Sequence, residues 1–543
     1  MTRILLISAG TNFEVCDWIE RHAKNLTHQT AYVVPLHLAT IAGLTPKEGF
    51  EVQIWDELVQ GPAEVNLDAG YDLVGITGYS DHLSRALKVG RKFHEAGIPV
   101  VFGGAGITAK PDAAEGIADA VFLGEAEPTW PEFLKDFEAG TVKPVYQTDL
   151  KVNLAQSPPP DWDSIAPLMA AGYKSGAVET SRGCPFDCEF CDVWIKFGRK
   201  MRTKPVARVM EEIAAFERLG MKRVMFATDN FIGAPKYAKQ VLRAVIDLNA
   251  GFEHPVSFTT ELTLTLARDP ELMELIARAN FSTVFIGLES TNLDSLIETR
   301  KRQNVRGDMV EECRRVSSYG MSVVGSMIVG FDNDTPAIFD QQFTFLQEAL
   351  IPIPRLNVLK ALDGTDLVDR MRREGRLIDT RRTYTEEEID DRVVRSNVMF
   401  KGMTRVEAHA GYLGLMERVW DWANFSDRII GFIDNVSNMP ERRTDPRLVA
   451  VVDALQANMH AFPHADEAII GKILSHAKAK VPALAWNVAA MTMLQCYQAA
   501  QLPQARKTIE RQIRVEERLE ASGGYVMAPE APRSTVPPVL ETT

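Results

Sequence analysis

Short apolar runs alternate with amphipathic stretches over about the first 140 residues. The intervening stretches PLHLATIAGLTPKEG and LSRALKVGRKFHEAG repeat apolar residues every three or four positions, which is typical of helices. The apolar runs indicate five strands: RILLIS, FEVQIWD, YDLVGITG, PVVFGG and DAVFLGE. Strands that alternate with helices predict a parallel, doubly wound sheet, which binds ligands at the carboxyl ends of its strands.

A second alternating set follows the stiff connector SPPPDW at Ser157–Trp162. Its strand signals are AVETS, RVMFAT, VSFTTEL, TVFIGLE, SVVGSMIVGF and RLNVLKAL, each followed by a helical stretch such as Val206–Leu219. Six such units predict a partial or full barrel with its chemistry at the carboxyl ends of the strands. From about Thr380 the strand signals give way to helical ones.

These patterns predict an α/β protein in five parts. We expect a Rossmann-like domain (1–145), a linker (146–172), a partial (β/α)6 TIM-type barrel (173–380), a helical C-terminal domain (381–522) and a disordered tail (523–543). The segment Val481–Pro503 has no charged residue, but its amides favour a buried helix over a membrane span. Peripheral contact with a lipid bilayer stays as the alternative.

The net charge and the cysteines indicate which partners and which cellular compartment to expect. The net charge is −13, and the Lys and Arg residues are scattered, which argues against nucleic acid as a partner. The N-terminal stretch MTRILLISAG lacks the features of an export signal. Cys16, Cys313 and Cys496 stand alone rather than in a disulfide pattern, so we expect a cytoplasmic protein.

The other three cysteines lie together in TSRGCPFDCEFCDVW, at Cys184, Cys188 and Cys191. Structural zinc sites and ordinary electron-transfer clusters use four protein ligands, so three thiols are too few for either. On a loop after the first barrel strand, this spacing suits three irons of a [4Fe–4S] cluster and leaves the fourth open for chemistry. A zinc or redox site with its remaining ligand elsewhere is the alternative.

The CxxxCxxC spacing resembles that of the radical S-adenosylmethionine (SAM) superfamily. In that family SAM binds the open iron through its amino and carboxylate groups, and an electron from the cluster cleaves it to a 5′-deoxyadenosyl radical. The resemblance implies further SAM contacts, although strand-end carboxylates equally suit helix caps. They are Phe190 and Gly330 at the adenine, Thr228, Asp229 and Asn230 at the amino group, and Glu261 and Glu289 at the ribose hydroxyls or the amine.

The N-terminal domain resembles the cobalamin-binding domain that precedes one subclass of radical SAM barrels. A nucleotide site is the alternative, but no GxGxxG follows the first strand. The DxHxxG that donates a histidine to cobalt is also missing, and Gly106 stands where relatives have GGxHxT. The cofactor contacts implied are Gly103, Gly104, Thr108, Gly124 and Glu125, with Tyr79, Ser80 or His82 facing the cobalt from below.

Segments such as GRKMRTKP, FATDNFIG, KRQN and ALDGTDLVDRMRREGRL resemble the branch of hopanoid methylases and bacteriochlorophyll tailoring enzymes. The resemblance implies methylation of an unactivated carbon in an apolar metabolite, with methylcobalamin as methyl donor and a flavodoxin- or ferredoxin-type electron donor. Ring cyclisation, contraction or oxidation is the nearest alternative, and a non-catalytic sensor is a further one. Thr228 departs from the commoner FVDDN, and Trp420, Trp422 and Phe425 are candidates for an apolar pocket wall.

Overall fold

The computed structural model describes residues 1–10, 31–79, 82–148, 151–385, 388, 396–442, 446–458, 462 and 464–529. Ser80 lies outside these residues, so nothing is said of its expected contact with cobalamin. The described strands are β1 (Thr2–Ser8), β2 (Ala31–Val33), β3 (Phe50–Asp56), β4 (Leu73–Thr77), β5 (Val100–Gly103), β6 (Ala120–Leu123), β7 (Val145–Gln147), β8 (Tyr173–Glu179), β9 (Ser181–Arg182), β10 (Arg202–Thr203), β11 (Arg223–Ala227), β12 (Ser257–Leu262), β13 (Phe281–Glu289), β14 (Ser322–Val329) and β15 (Ile353–Val358).

The N-terminal sheet is parallel throughout, in the order β3-β1-β4-β5-β6-β7. All five strands expected from the apolar runs are present, and β7 adds an edge strand. Alternate residues of β1 serve opposite faces: Ile4 packs with the helix Leu36–Leu44, and Leu5 packs with the helix Leu83–Glu95. Helices therefore cover both faces, as a doubly wound sheet requires.

The barrel sheet has seven parallel strands in the order β15-β14-β13-β12-β11-β8-β2. Six of them are the strands predicted from the sequence. The seventh, β2, comes from the N-terminal region and pairs with β8, the first barrel strand. One continuous hydrophobic core runs from Ile4 in the N-terminal sheet to Trp420 after the barrel, so the two sheets share their packing.

Helices fill the rest of the described chain. Those up to the end of the barrel region are Leu36–Leu44, Glu57–Gln60, Leu83–Glu95, Ala105–Ala109, Trp130–Ala139, Ala166–Gly172, Val193–Phe197, Val206–Arg218, Pro235–Ala250, Pro270–Arg278, Leu293–Glu298, Met309–Ser318, Ile338–Glu348, Asp366–Arg373 and Thr380–Thr383. The C-terminal helices are Arg405–Val419, Trp422–Asn435, Pro446–Ala457, Glu467–Lys480 and Ala485–Ser522. Among the described helices, none is long and apolar enough to cross a membrane.

The C-terminal helices form a second hydrophobic core of their own. Phe425 is buried in this core, and Trp422 packs against it while donating a hydrogen bond from its indole Nε1 to the carbonyl of His464 at 2.8 Å. Part of the segment expected to be a disordered tail is ordered, because the amide of Ala528 donates to the carbonyl of Leu377 at 2.7 Å. Residues 530–543 lie outside the described part.

Candidate functional site

A cavity of about 1280 Å³ occupies the lumen of the barrel. It reaches from the carboxyl ends of the strands down to residues 220–223 at their other ends, and the C-terminal helices close its open side. Of the residues predicted to bind the cluster or SAM, eight line it: Cys184, Cys188, Phe190, Cys191, Asp229, Asn230, Glu261 and Glu289. The structure therefore brings together most of the expected barrel site.

The cysteine loop is bracketed at its base by a short antiparallel pair. Strand β9 directly precedes the loop, and strand β10 returns beside it, with Arg182 opposite Arg202. Within the loop, the amide of Cys191 donates to the carbonyl of Cys188 at 3.1 Å, which curls the chain so that the thiols face one cavity. In the described residues, no three His, Cys, Asp or Glu side chains converge on a single metal ion.

Side-chain amides approach two of the three sulfurs. Asn230 Nδ2 lies 3.9 Å from Cys184 Sγ, and Gln303 Nε2 lies 3.5 Å from Cys188 Sγ. Both amides are buried, and their carbonyl oxygens have no hydrogen-bond partner within the described structure. Buried polar atoms are almost always satisfied, so these orphaned oxygens indicate a site built for a further polar group.

A buried ion pair lies behind the sulfurs. Lys301 Nζ binds Glu289 Oε1 at 2.7 Å, and both side chains are buried. Burial opposes the charged form of Lys301, but the Glu289 carboxylate and the thiol of Cys188 outweigh it and raise the pKa of Lys301. Burial also raises the pKa of the Cys191 thiol to about 12. Since metal centres bind thiolates, cluster assembly here releases protons.

An arginine from the region after the barrel fixes the cysteine loop. Glu189 lies between two of the cysteines in the chain, and Arg370 binds both of its carboxylate oxygens, at 2.7 and 2.9 Å. Arg370 also binds Asp332 at 2.6 Å and Glu298 at 2.8 Å. A bidentate arginine pair restricts orientation as well as distance, so this network holds the loop in one conformation.

The segment after β11 supports the loop from the other side. Asp229 accepts a hydrogen bond from the amide of Gly183 at 2.8 Å, and burial is the main cause that raises its pKa to about 6. The hydroxyl of Thr228 lies 2.7 Å from that of Ser181. Thr228 does not line the cavity, so its contact is with the strand that leads into the cysteine loop.

Of the two expected adenine contacts, Phe190 lines the cavity and Gly330 does not. Gly330 has a φ of 104°, which favours glycine, and its amide donates to Asp334 Oδ2 at 3.0 Å. The ring of Phe190 lies 5.9 Å from that of Phe331, the residue after Gly330. The two expected adenine contacts are therefore close together.

Glu261 faces the cavity, and its carboxyl has a strongly shifted pKa. Glu261 is exposed to the cavity, but the protein that encloses the cavity, with a smaller contribution from Asp229, raises the pKa of its carboxyl to about 7, while Arg355 opposes the shift. Between the unfolded value of 4.5 and about 7, the folded protein keeps a proton that the unfolded chain has lost. The stability of the protein therefore falls as the pH rises through this window.

We compare the thermal midpoint of Glu261→Gln with that of wild type, and expect the difference to shift in favour of the variant between pH 5 and pH 8. The relative gain should be about 1 kcal/mol, since contact with water in the cavity reduces the effect of the full shift. Thermal unfolding of both proteins without SAM, at the two pH values, measures it. Glu271→Gln is the control: Lys239 lowers the pKa of Glu271, so its contribution changes only below about pH 4.5, and the difference from wild type should stay constant between pH 5 and 8. An unchanged difference for Glu261→Gln between pH 5 and 8 would contradict the assignment.

The glycines of the N-terminal domain leave room beside β5 and β6. Gly104 and Gly124 have φ values of 91° and 85°. A Cβ added to Gly104 would collide with the hydroxyl of Thr77, but one added to Gly124 would meet no atom within 4 Å. A Cβ on Gly106 would instead lie 2.8 Å from the carbonyl oxygen of Tyr79. This close approach explains why Gly106 replaces the histidine of the GGxHxT pattern. Thr108 links the strand ends, since its hydroxyl accepts from the amide of Gly124 at 3.1 Å.

The loop after β4 faces the barrel. The side chain of Tyr79 is 64% exposed, yet the protein around it, and further the carboxyls of Glu261 and Asp229 on the barrel, raise the pKa of its phenol. Its ring meets that of His82 edge-on, with centroids 5.8 Å apart. The side chain of His37 is exposed, yet the protein around it lowers its pKa to about 4, and His82 contributes. His37 was not expected from the sequence, where a lone histidine beside LATIAG carries no signal.

Glu125 connects the two domains. Its carboxylate pairs with the guanidinium of Arg202, lies 3.3 Å from Arg182, and accepts from the amide of Val152 at 2.9 Å. These partners engage both oxygens, so we assign Glu125 to the contact between the domains in addition to its expected place near cobalamin. Gly103, by contrast, has only the Cβ of Phe122 near its missing side chain, at 3.6 Å.

Comparisons with known proteins agree with this arrangement. Residues 178–345 match the Radical SAM superfamily, residues 26–134 match the B12 binding domain, and residues 365–464 match a domain of unknown function, DUF4070. The fold resembles two solved structures, each 15% identical. OxsB, a cobalamin-dependent radical SAM enzyme, has a TM-score of 0.58 and covers 94% of this chain and 83% of its own. TsrM from Kitasatospora setae has a TM-score of 0.53 over 69% and 78%.

Among curated relatives, an uncharacterized methyltransferase of Synechocystis sp. is 32% identical over 67% of each chain. The hopanoid C-2 methylase of Rhodopseudomonas palustris is 30% identical over 64% of this chain and 66% of its own. The bacteriochlorophyllide d C-12(1)-methyltransferase of Chlorobaculum tepidum is 28% identical over 64% and 76%. The chain thus spans about two thirds of the length of the first two relatives.

The fold and the site define a radical SAM enzyme with a B12-binding domain. More particularly, the chain belongs to the cobalamin-dependent radical SAM family, in the branch that holds these methyltransferases. Its cofactors are a [4Fe–4S] cluster, SAM and cobalamin. The resemblance seen in the sequence is confirmed.

Proposed function

We propose that this protein methylates an unactivated carbon of an apolar small molecule. The observation that carries the proposal is one cavity that joins three cysteines, a set of polar strand-end residues and an apolar wall. Methylation is favoured over cyclisation, contraction or oxidation because the similar curated proteins are methyltransferases. The cluster with SAM supplies a radical that removes hydrogen from carbon, and cobalamin supplies the methyl group.

The residues present fit a [4Fe–4S] cluster with SAM. Cys184, Cys188 and Cys191 would hold the cluster, and the amides of Asn230 and Gln303 would donate hydrogen bonds to two of the sulfurs. Hydrogen bonds and nearby charge are the means by which a protein tunes such a centre. The orphaned amide oxygens of the same two residues remain free to accept from a bound polar group.

The barrel residues would bind and orient SAM. Asp229 and Glu261 present carboxyls to the cavity, and the ring of Phe190 offers an apolar surface that suits an adenine. Glu289 is held by Lys301, so it presents a fixed rather than a mobile carboxylate. With pKa values of about 6 and 7, Asp229 and Glu261 can each hold or release a proton near neutral pH.

The N-terminal domain fits cobalamin because its strand ends leave open space. The open space beside Gly124 lets a large flat or tail-like ligand approach the backbone there. Tyr79 and His82 would lie toward the barrel side of that ligand. We propose the domain limits 1–145, 173–380 and 381–522, a flavodoxin- or ferredoxin-type electron donor, and a cytoplasmic location, which suits the unpaired thiols of the described cysteines.

The test is an anaerobic assay of the reconstituted full chain with SAM, cobalamin, a reductant and candidate substrates. The first candidates are a hopanoid and a bacteriochlorophyllide, the substrate classes named for the relatives. We expect 5′-deoxyadenosine, S-adenosylhomocysteine and a product heavier by one methylene to form together.

The alternatives give different products in the same assay. If 5′-deoxyadenosine forms with a substrate but S-adenosylhomocysteine does not, the protein carries out a non-methylating radical reaction. If reduction never cleaves SAM, a sensing role replaces catalysis. A reaction without substrate separates unproductive SAM cleavage from turnover.

A further inference from the structure

Arg355 is a cation in the cavity without a partner. It lies on β15, in register with Ser326 of β14, and lines the lumen. Its guanidinium carbon lies 6.0 Å from the ring centroid of Phe285 on β13, which is a cation–π distance. Across the described residues, no hydrogen bond or ion pair to the Arg355 side chain is formed.

The acids of the site are committed elsewhere. Glu289 is held by Lys301, and Asp229 accepts from the amide of Gly183. The charge of Arg355 acts to lower the pKa of Glu261, yet the two side chains form no ion pair. The charge of Arg355 is therefore left available to a bound molecule.

The surroundings of Arg355 are largely apolar. The helix Ala485–Ser522 and the helix Arg405–Val419 close the open side of the partial barrel with large side chains. The cavity wall includes Met416, Trp420, Phe462, Trp486, Met493 and Tyr497. Lys222 and Arg223 also line the cavity, but at the amino-terminal end of β11, whereas Arg355 lies level with Ser326 and Gly287, toward the carboxyl ends of the strands. An apolar chamber with a free guanidinium at this level suits a molecule that has an apolar body and one anionic group.

We propose that the barrel lumen binds a carboxylate-bearing apolar substrate, and that Arg355 binds its carboxylate. This inference rests on the proposed function and names the substrate class of the same site. A guanidinium matches a carboxylate in two parallel hydrogen bonds, and one cation balances one charge. A phosphate monoester carries nearly two charges and would require a second cation at this point. The family resemblance places the carboxylate of SAM on iron, which leaves Arg355 to the substrate.

The test uses cis-parinaric acid and its methyl ester as probes on the reconstituted full chain with SAM. Energy transfer from Trp420 and Trp486 in the cavity wall reports binding without turnover. We expect wild type to bind the acid about tenfold more tightly than the ester, in line with a hydrogen-bonded charge pair. Arg355→Met should lose this preference, and Arg355→Lys should keep part of it. Arg243→Met, on the exposed face of a distant helix, is the matched control.

Each other outcome overturns the proposal. It is wrong if Arg355→Met keeps the preference for the acid, if neither probe binds wild type, or if the variant weakens SAM binding while probe binding is unchanged. Failure of the proposed function has a different signature. In that case none of the candidate substrates leads to S-adenosylhomocysteine, while the preference for the acid still depends on Arg355.

Discussion

Replacing any one of Cys184, Cys188 and Cys191 with alanine should abolish the cleavage of SAM. The three thiols face one cavity from one loop, so each variant leaves only two of these thiols to hold the cluster. Loss of a residue that only hydrogen-bonds a metal ligand costs about 10–100-fold in metal affinity or activity. Loss of a ligand itself should therefore cost on the order of 10³-fold or more in SAM cleavage. Iron analysis, the visible spectrum of the cluster and the yield of 5′-deoxyadenosine under reducing conditions measure the effect.

Cys313→Ala is the matched control for these variants. Cys313 is fully buried in the helix Met309–Ser318 and does not line the cavity. It should retain full iron content and SAM cleavage, although the small space left in the core lowers stability by about 1 kcal/mol. If a variant of the cysteine loop kept its iron and its activity, or if the loop bound zinc instead, the assignment of this loop would fail.

The sequence predicted the strand and helix order well because burial decides it locally. A strand such as β13 or β14 is buried on both faces, so its apolar run is long and clear. The short strand β2 was missed, since three residues carry no periodicity and its pairing with β8 joins segments more than 140 residues apart. Long-range pairing of this kind is decided by tertiary packing rather than by local pattern.

The sequence predicted the site residues that lie in recognisable motifs and missed those that reach the site through long-range contacts. The cysteines and the strand-end carboxylates lie in recognisable segments. Gln303 and Arg370 contact the cysteine loop from 115 and 181 residues away in the chain, so no spacing rule identifies them. Trp420 lines the cavity as expected, whereas Trp422 and Phe425 serve the second core. Which face of a helix meets a cavity depends on its partners.

Contacts from several elements join the N-terminal domain to the barrel. Strand β2 extends the barrel sheet, and the hydroxyl of Tyr173 donates to Asp56 Oδ2 at 2.6 Å. Glu125 binds Arg202 beside the cysteine loop. These contacts fix the N-terminal sheet relative to the barrel, so the folded chain itself sets how the proposed cofactor sites of the two domains lie to each other.

Lys301→Met should impair both the stability of the protein and its cluster. The substitution removes the partner of the buried carboxylate of Glu289, and an uncompensated buried charge costs about 3–5 kcal/mol. It also removes a positive charge that lies near Cys188 and Cys191, so the reduction potential of the cluster should fall.

Two measurements separate these effects. Thermal unfolding should show that adding Glu289→Gln to Lys301→Met recovers part of the lost stability, because the orphaned charge is then gone. Redox titration should show that the same addition recovers part of the fall in reduction potential, since the negative charge of Glu289 is then removed as well. If Lys301→Met changed neither the thermal midpoint nor the potential, the ion pair would be incidental, and the cluster loop would depend on Arg370 and the amides alone.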